Sequence, residues 1–595
     1  MEKSYWSSVL AKRQLTRRRL MSGAVGLAAG GAALSLIGCG GDDGGVEGDA
    51  SGLLGKAVDT TKQAKVGGTW PSSYDEDLVN MDPILNNASP TFPRLVPVYS
   101  QLLKAGISTT KRPGAAEITG DAVEKWEITP DGTQITLTMR QGMKWDSRPP
   151  TNGRVITSAD VKFSWEKFAT VGNSRAELVN SVNPDAPITS IETPDPRTVV
   201  YKMAFPYPNV IDQLSNQQNF YVMPAVDGFD FRTDMRGSGP YRLDEFRPSS
   251  NARYVRNPEW YDSPRPYFEK LEQTLLKEYA SGLAQFKAKN IWNFKVNSQD
   301  ILPTKRDQPE MVLLPNLEID ASLGGFQNFS KRDDSLFKDV RLRRALSMML
   351  DRDLLIETFE NTKQFQDAGL PVSLYWTSSA LGAGLPEWID PKTNAIGEGA
   401  KYFQFNPAEA KKLVQAAGVK MPYAAPFSHY VDNVPDDQKR FEVLNAMMSE
   451  GGIFNITTDP LLYNSSWRVA RQAAGKDPLH VGLLWHRTSG LSADGILTQM
   501  WTPKGRNSQN TDSTPVVTDL VLKQKSELDP NKRTAIIHDI QKELALQWYV
   551  IPWAGSAPGF TLHWPWLANY NVFIQGNASA KSFVYTWYDE SKKKA

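Results

Sequence analysis

Residues 121 to 168 constrain this chain more than any other stretch. Asp121-Ala-Val-Glu-Lys-Trp126-Glu-Ile-Thr runs into the turn Pro130-Asp131-Gly132, and from Gln134 to Arg140 the residues Ile135, Leu137 and Met139 alternate with Thr136, Thr138 and Arg140. Alternation of period two predicts a strand with one buried face. Gly142 breaks the pattern before Trp145-Asp146. Thr157 or Ser158 then caps a helix with Asp160 in its first turn and with Val161, Trp165 and Phe168 on one face.

At 595 residues the chain can bury several cores, so two or three domains are expected. Lysine and arginine total 67 against 66 acidic residues, a balance that gives no bulk field to draw nucleic acid or acidic membranes. Electrostatics must therefore act locally. Seventeen tryptophans and 39 prolines fit extended loops and an aromatic-lined cleft better than a helical bundle, although most of the tryptophans are expected to fill cores.

The single cysteine excludes intramolecular disulfides and multi-cysteine metal sites. Cys39 ends Leu36-Ile-Gly-Cys39, after Thr16-Arg17-Arg18-Arg19 and a run of glycine, alanine and leucine from Met21 to Ile37. A basic start, an apolar run and a small residue before the cut describe a secretory signal rather than a membrane span. The paired Arg17 and Arg18 point to the twin-arginine export route. Residues 1–38 are thus expected to be the signal and 39–65 a glycine- and aspartate-rich tether. No other stretch approaches the ~18 apolar residues that a membrane helix needs.

Downstream, Arg197 to Phe205 is a strand pattern, and Gly237-Ser-Gly239-Pro240-Tyr241 lacks the third glycine and the Lys-Ser/Thr of a phosphate loop. Leu342, Ala345, Leu346, Met349 and Leu350 form an apolar stripe, with Arg341, Arg343 and Arg344 beside it as a solvated face. Asn406-Pro407-Ala-Glu409 starts a helix ended by Gly418, Asp437 to Ser449 repeats the helical pattern before a strand at Ile453 to Thr457, and Asp529-Pro530 opens a helix through Gln547.

Several of these segments resemble one family. The Trp-Glu segment, the Pro-Asp-Gly turn, the Arg140-x-Gly142-x-x-Trp145-x-Asp146 end and Thr157-x-x-Asp160-Val161-x-x-Ser164 are similar to the signature of the family 5 solute-binding proteins, the extracytoplasmic receptors of peptide and nickel ABC importers. Val66-Gly-Gly-Thr-Trp70, Asp82-Pro83, the Gly-Pro-Tyr stretch at 239–241, Asp339-Val340-Arg341 with Asp351-Arg352, and Pro407 to Gly418 continue the likeness in order. Ser147 stands where the family has glycine, Arg148 to Val155 resembles an inserted loop, and Asn290 replaces another glycine. Leu-x-Gly-Cys39 resembles a lipoprotein box, which would make Cys39 the lipidated first residue of the mature chain.

The resemblance implies an α/β, two-lobe, periplasmic-binding-protein-like fold (type II, cluster C) with an extra inserted subdomain. Lobe I would comprise 66–95, 236–322 and 556–595, the inserted subdomain 96–235, and lobe II 323–555. Such a receptor closes on solute between its lobes, works as a monomer held by its lipid anchor, and delivers the solute to a membrane permease and its ATPase. Peptide is the first expectation. Peptide binders of the family commonly carry a Trp-x-x-Asp segment whose acid meets the peptide amine; here Leu484-Trp485-His486-Arg487-Thr488 puts Thr488 at that place, with Asp494 the nearest substitute. Trp485, His486, Arg487 and Trp501 would suit an anionic, aromatic or sugar-like solute, so a non-peptide ligand, or a surface sensor without transport, is the alternative. Tyr74, Phe326, Asn328 and Trp376 fall near the expected strand ends and cleft loops.

Tests for chemistry find no enzyme. The histidines at 429, 480, 486, 538 and 563 make no His-Glu-x-x-His and no zinc spacing, no Gly-x-Ser-x-Gly elbow occurs, and Cys39 belongs to the signal. No metal and no cofactor are expected.

Overall fold

The computed structural model describes residues 49–593, apart from 79, 86–91, 111–116, 217–218, 317, 329–332, 432–436, 468–478, 489–491, 504, 506–513 and 577. Arg17, Arg18, Cys39 and the expected signal lie outside the described residues.

The strand read from 134–140 spans Gln134–Met139, and its alternation is literal: Ile135, Leu137 and Met139 are buried while Gln134, Thr136 and Thr138 are partly exposed. It pairs antiparallel with Val123–Ile128 and Thr198–Met203 in a four-stranded sheet completed by Ile188–Asp195. Helix Ser158–Val171 lays Val161, Trp165 and Phe168 against that sheet, Trp165 meeting Tyr201 edge-on at 5.2 Å. Asp160 does more than its first-turn position foretold. Its carboxylate accepts from the Thr157 and Ala225 N–H groups, from Trp145 Nε1 and from both terminal nitrogens of Arg154. That hub folds the 148–155 loop back onto the helix start, and Arg148 gripping the buried Asp146 closes its other end.

A second four-stranded sheet orders Thr69–Tyr74, Lys270–Leu275, Asn251–Arg256 and Tyr241–Arg247, the first pair parallel and the others antiparallel. Gly237 and Gly239 have a packing role here. A Cβ would lie 1.9 Å from the Val98 carbonyl at the first and 2.5 Å from that of Pro97 at the second, so only glycine permits the backbones to touch. A five-stranded sheet orders Phe454–Leu461, Tyr423–Tyr430, Gly482–Thr488, Leu323–Asn328 and Val550–Pro552.

Each sheet has its own core. Trp70, Tyr254, Phe268, Leu313 and Trp564 belong to one, Ile135, Leu137, Trp165 and Phe220 to another, and Phe326, Leu346, Phe427, Ile537 and Ile551 to a third. Tyr99 and Tyr221, and also Phe365 and Leu370 beside Phe560, pack into the core of the 69–74 sheet. So does the later part of the stretch read as a tether. Leu53 and Leu54 pack on that core, Gly55 N–H donates to the Leu313 carbonyl at 2.8 Å, and Trp587 Nε1 donates to Thr60 Oγ1 at 2.9 Å. An apolar pair inside a polar stretch is enough to dock it.

The basic cluster also departs from a solvated face. Arg343 is buried, donating to the carbonyls of Gln547, Phe337 and Lys338; Arg344 donates to that of Leu546 and Arg341 to that of Ala416. These carbonyls include the last turns of helices Pro530–Gln547 and Pro407–Ala416, where the helix dipole and the unbonded C=O groups attract cations.

Candidate functional site

The five-stranded sheet fixes where a solute can be held. Its first three strands run parallel, and Leu323–Asn328 runs antiparallel to both its neighbours. Leu323 pairs with Thr488, and Gly325 pairs with Trp485 on one side and Pro552 on the other. The carboxyl ends of Gly482–Thr488 and Val550–Pro552 therefore lie beside the start of Leu323–Asn328. That is also the edge at which the chain arrives from strand Val312–Pro315 and leaves toward its partner Phe560–His563. In open α/β sheets ligands bind in the crevice outside the carboxyl ends of strands. Both crossings between sheets meet that edge, so a change of angle there alters the crevice. Gly325, at φ 146°, permits the tight approach: a Cβ would lie 2.1 Å from the Ile551 carbonyl oxygen.

The sequence-predicted residues distribute unevenly around this edge. Trp485, His486 and Arg487 are in strand Gly482–Thr488, and Asn328 ends the neighbouring strand. The side chains of these four lie outside the described residues. Phe326 is fully buried, edge-on to Phe427 at 5.0 Å. Trp376 pairs with Gly555 at the crossing, donates its Nε1–H to Asp353 Oδ1 at 2.7 Å, and has the Lys392 ammonium 5.0 Å from its ring. Trp501 is buried in the core of the five-stranded sheet. Tyr74 ends a strand of another sheet, with the Arg94 guanidinium 4.4 Å from its ring.

Asp494 lies in the first turn of helix Ala493–Trp501, directly after the Gly482–Thr488 strand, and is 1% exposed. Its carboxylate accepts from Tyr207 Oη at 2.7 Å, Gln524 Nε2 at 2.6 Å and Thr498 Oγ1 at 3.3 Å. Ser492, the N-cap of the same helix, donates its hydroxyl to Asp212 Oδ2. Lys525 donates to the Asp185 carbonyl at 2.6 Å, its ammonium 5.5 Å from the Tyr207 ring. Tyr207, Asp212 and Asp185 come from the 96–235 segment, whereas Ser492, Asp494 and Lys525 come from the elements around the five-stranded sheet. Ser492-x-Asp494 carries a cap signature in the sequence. Nothing in the sequence around Pro206-Tyr207-Pro208 marks its counterpart.

Burial dominates the electrostatics of this junction. It pushes the Asp212 carboxyl up to about 7, helped by Asp494 and Glu387 and opposed by the Ser492 hydroxyl and Arg533. It likewise raises the Tyr207 phenol, with Asp494 adding to the effect, and lowers the Lys525 ammonium. Among the described residues no group of three or more His, Cys, Asp or Glu side chains is placed to hold a metal ion. A small pocket lined by Trp70, Tyr570 and Phe583 holds none of the predicted residues. Among the described residues no helix is long and apolar enough to cross a membrane.

Comparison with known proteins agrees with the geometry. A Brucella ovis protein named "Putative ABC transporter peptide-binding protein" is 25% identical over 487 residues, which cover 79% of this chain and 82% of that one. The dipeptide-binding protein of Escherichia coli K12 is 22% identical over 60% of this chain and 65% of its own length. Two solved structures share the fold. DppA of Helicobacter pylori, in complex with the peptide STSA, has a TM-score of 0.69 at 15% identity, covering 89% of this chain and 99% of that one. NikA of Brucella suis, in complex with Fe(III)-EDTA, has a TM-score of 0.68 at 16% identity, covering 88% and 100%. The architecture is that of the type II periplasmic binding proteins. The family model for "Bacterial extracellular solute-binding proteins, family 5 Middle" matches residues 117–508, and the chain belongs to that family.

Proposed function

We propose that this protein is the extracytoplasmic receptor of an ABC importer, which binds an oligopeptide unchanged between two lobes and hands it to a membrane permease. The observation that carries this reading is the likeness to peptide-binding relatives over 79% of the chain. The core of the 69–74 sheet forms lobe I, the core of the five-stranded sheet forms lobe II, and the 96–235 segment is an inserted subdomain. The crevice at the carboxyl ends of Gly482–Thr488 and Val550–Pro552 takes the solute, because closure there removes nearly all of a small molecule from water. Strand-like hydrogen bonds to an extended peptide backbone give affinity, with Trp485, His486 and Arg487 in the strand that ends there. Solute favours the closed form by its difference in affinity for the two forms. The chain leaves the cell by the twin-arginine route through Arg17 and Arg18. It is held as a monomer by acyl chains on Cys39 and performs no catalysis.

A second reading rests on Asp494. Three protein donors already bond this carboxylate, so it is not available as the acid for a peptide amine. A non-peptide anion or chelate meeting His486 and Arg487 would need no such acid. Native mass spectrometry of the purified protein, followed by calorimetric titration with peptides of two to five residues, separates the two. Saturable binding of intact peptide supports the first reading. A co-purified non-peptide with no peptide binding, or the appearance of hydrolysed peptide, refutes it.

A further inference from the structure

The junction at Tyr207 and Asp212 contains more polar chemistry than static packing needs. Several contacts among the described residues join the 96–235 segment to lobe II. Gly132 sits so close to Leu528 that a Cβ would lie 2.9 Å from its Cδ2, Lys525 reaches the Asp185 carbonyl, Tyr207 donates to Asp494, and Ser492 donates to Asp212. The Tyr207–Asp494 and Ser492–Asp212 contacts are hydrogen bonds between buried groups, the kind that is costly to leave unmade. Asp212 is 2% exposed, and among the described residues its Oδ1 has no hydrogen-bond partner; nor do Arg533 Nη2, Glu387 Oε2 and Asn209 Nδ2. Buried polar groups that remain unpaired destabilise the state in which they are buried. An arrangement of that kind suits a contact that opens and reforms.

We propose that the inserted subdomain takes part in closure, with Tyr207–Asp494 and Ser492–Asp212 forming a clasp to lobe II that holds the closed molecule without touching solute. This rests on the two-lobe reading above.

The clasp is sensitive to pH in a stated direction. The groups facing Asp212 are Ser492 and Asp494 from helix Ala493–Trp501, Arg533 from helix Pro530–Gln547, and Glu387 from the loop ahead of Ile389. In the closed form the Asp212 carboxyl keeps its proton to about pH 7, whereas once exposed it ionises near its ordinary 3.8. Closing therefore takes up a proton. The ratio of closed to open molecules falls about tenfold per unit as pH rises between those two values, and levels off above them.

The test measures closure with no solute present, so it stands or falls apart from the peptide reading. Spin labels are placed on the full chain carrying Cys39→Ser, at the exposed Val171→Cys and Val516→Cys, and their distance distribution is recorded at pH 5 and pH 8. The closed-to-open ratio of the unmodified junction is expected to fall about a hundredfold between the two pH values. Tyr207→Phe and Ser492→Ala each remove one hydroxyl from opposite sides of the junction. Either is expected to lower the closed-to-open ratio about tenfold at pH 5. Asp212→Asn is expected to abolish the pH dependence. Distributions that match the unmodified junction in both Tyr207→Phe and Ser492→Ala overturn the clasp, and a pH response that survives in Asp212→Asn overturns its proton linkage.

Discussion

Replacing Asp212 by asparagine is the perturbation whose size follows most directly from the structure. The folded chain holds the Asp212 proton up to about pH 7, against an ordinary carboxyl value of 3.8 in the unfolded chain. The difference is about three units, and each unit corresponds to about 1.4 kcal/mol. A raised carboxyl contributes no penalty below the unfolded value. The penalty grows as pH rises from about 4 to about 7 and reaches up to about 4 kcal/mol above that. An asparagine amide oxygen still accepts the Ser492 hydroxyl and never ionises. The variant is therefore expected to match the unmodified protein near pH 4 and to exceed it by several kcal/mol at pH 8. If the junction opens rather than burying charge, the loss is capped at the free energy of opening. Urea unfolding followed by tryptophan fluorescence at several pH values reads the difference as diverging midpoints. Parallel midpoints for the two proteins from pH 5 to pH 8 would refute the reasoning.

Three further outcomes are expected. Lys581→Met breaks a buried ion pair in which Lys581 Nζ meets Asp121 Oδ2 at 2.7 Å, leaving the carboxylate with the Gln101 N–H and the Tyr261 hydroxyl. A loss of about 3 kcal/mol, seen in thermal melting, is expected because the buried carboxylate loses its directly bonded cation and keeps Lys104 nearby. That pairing holds the Asp121 carboxyl low even though burial alone would raise it, so its contribution is present above about 3.8 and disappears as acid titrates it through its lower folded value. Gly325→Ala would drive a Cβ into the Ile551 carbonyl and should cost about 2 kcal/mol or more; a protein as stable as the original would show that the strands can part there. Cys39→Ala should move the protein from membrane to soluble fractions, and unchanged sedimentation with membranes would count against the lipid anchor.

Local order was legible because it is local chemistry. Alternation at Ile135, Leu137 and Met139 foretold a strand, and Asn406 and Asp529 cap their helices through the N–H groups that a cap must satisfy. The bend at Gly418 has the positive φ its place implied. Composition misled where side chains reach across sequence. Arg343 looked like surface because arginine usually is, yet it is buried with one of its bonds on the Gln547 carbonyl, more than two hundred residues away. Residues beyond 49 looked like linker, yet Leu53 and Leu54 dock on Leu313 and its neighbours.

The sequence by itself determined the family and the strand or helix character of its most regular stretches, such as Gln134–Met139 and Pro530–Gln547, because these depend on periodicity and on side-chain chemistry within a few residues. Only the tertiary structure decided what the carboxylates do. Asp494 and Asp212 are ordinary acids in the sequence, 282 positions apart, until folding buries them at one junction and gives Tyr207 and Ser492 as their donors. Desolvation and partner geometry, which set both pKa and strength, are properties of surroundings assembled from distant parts of the chain.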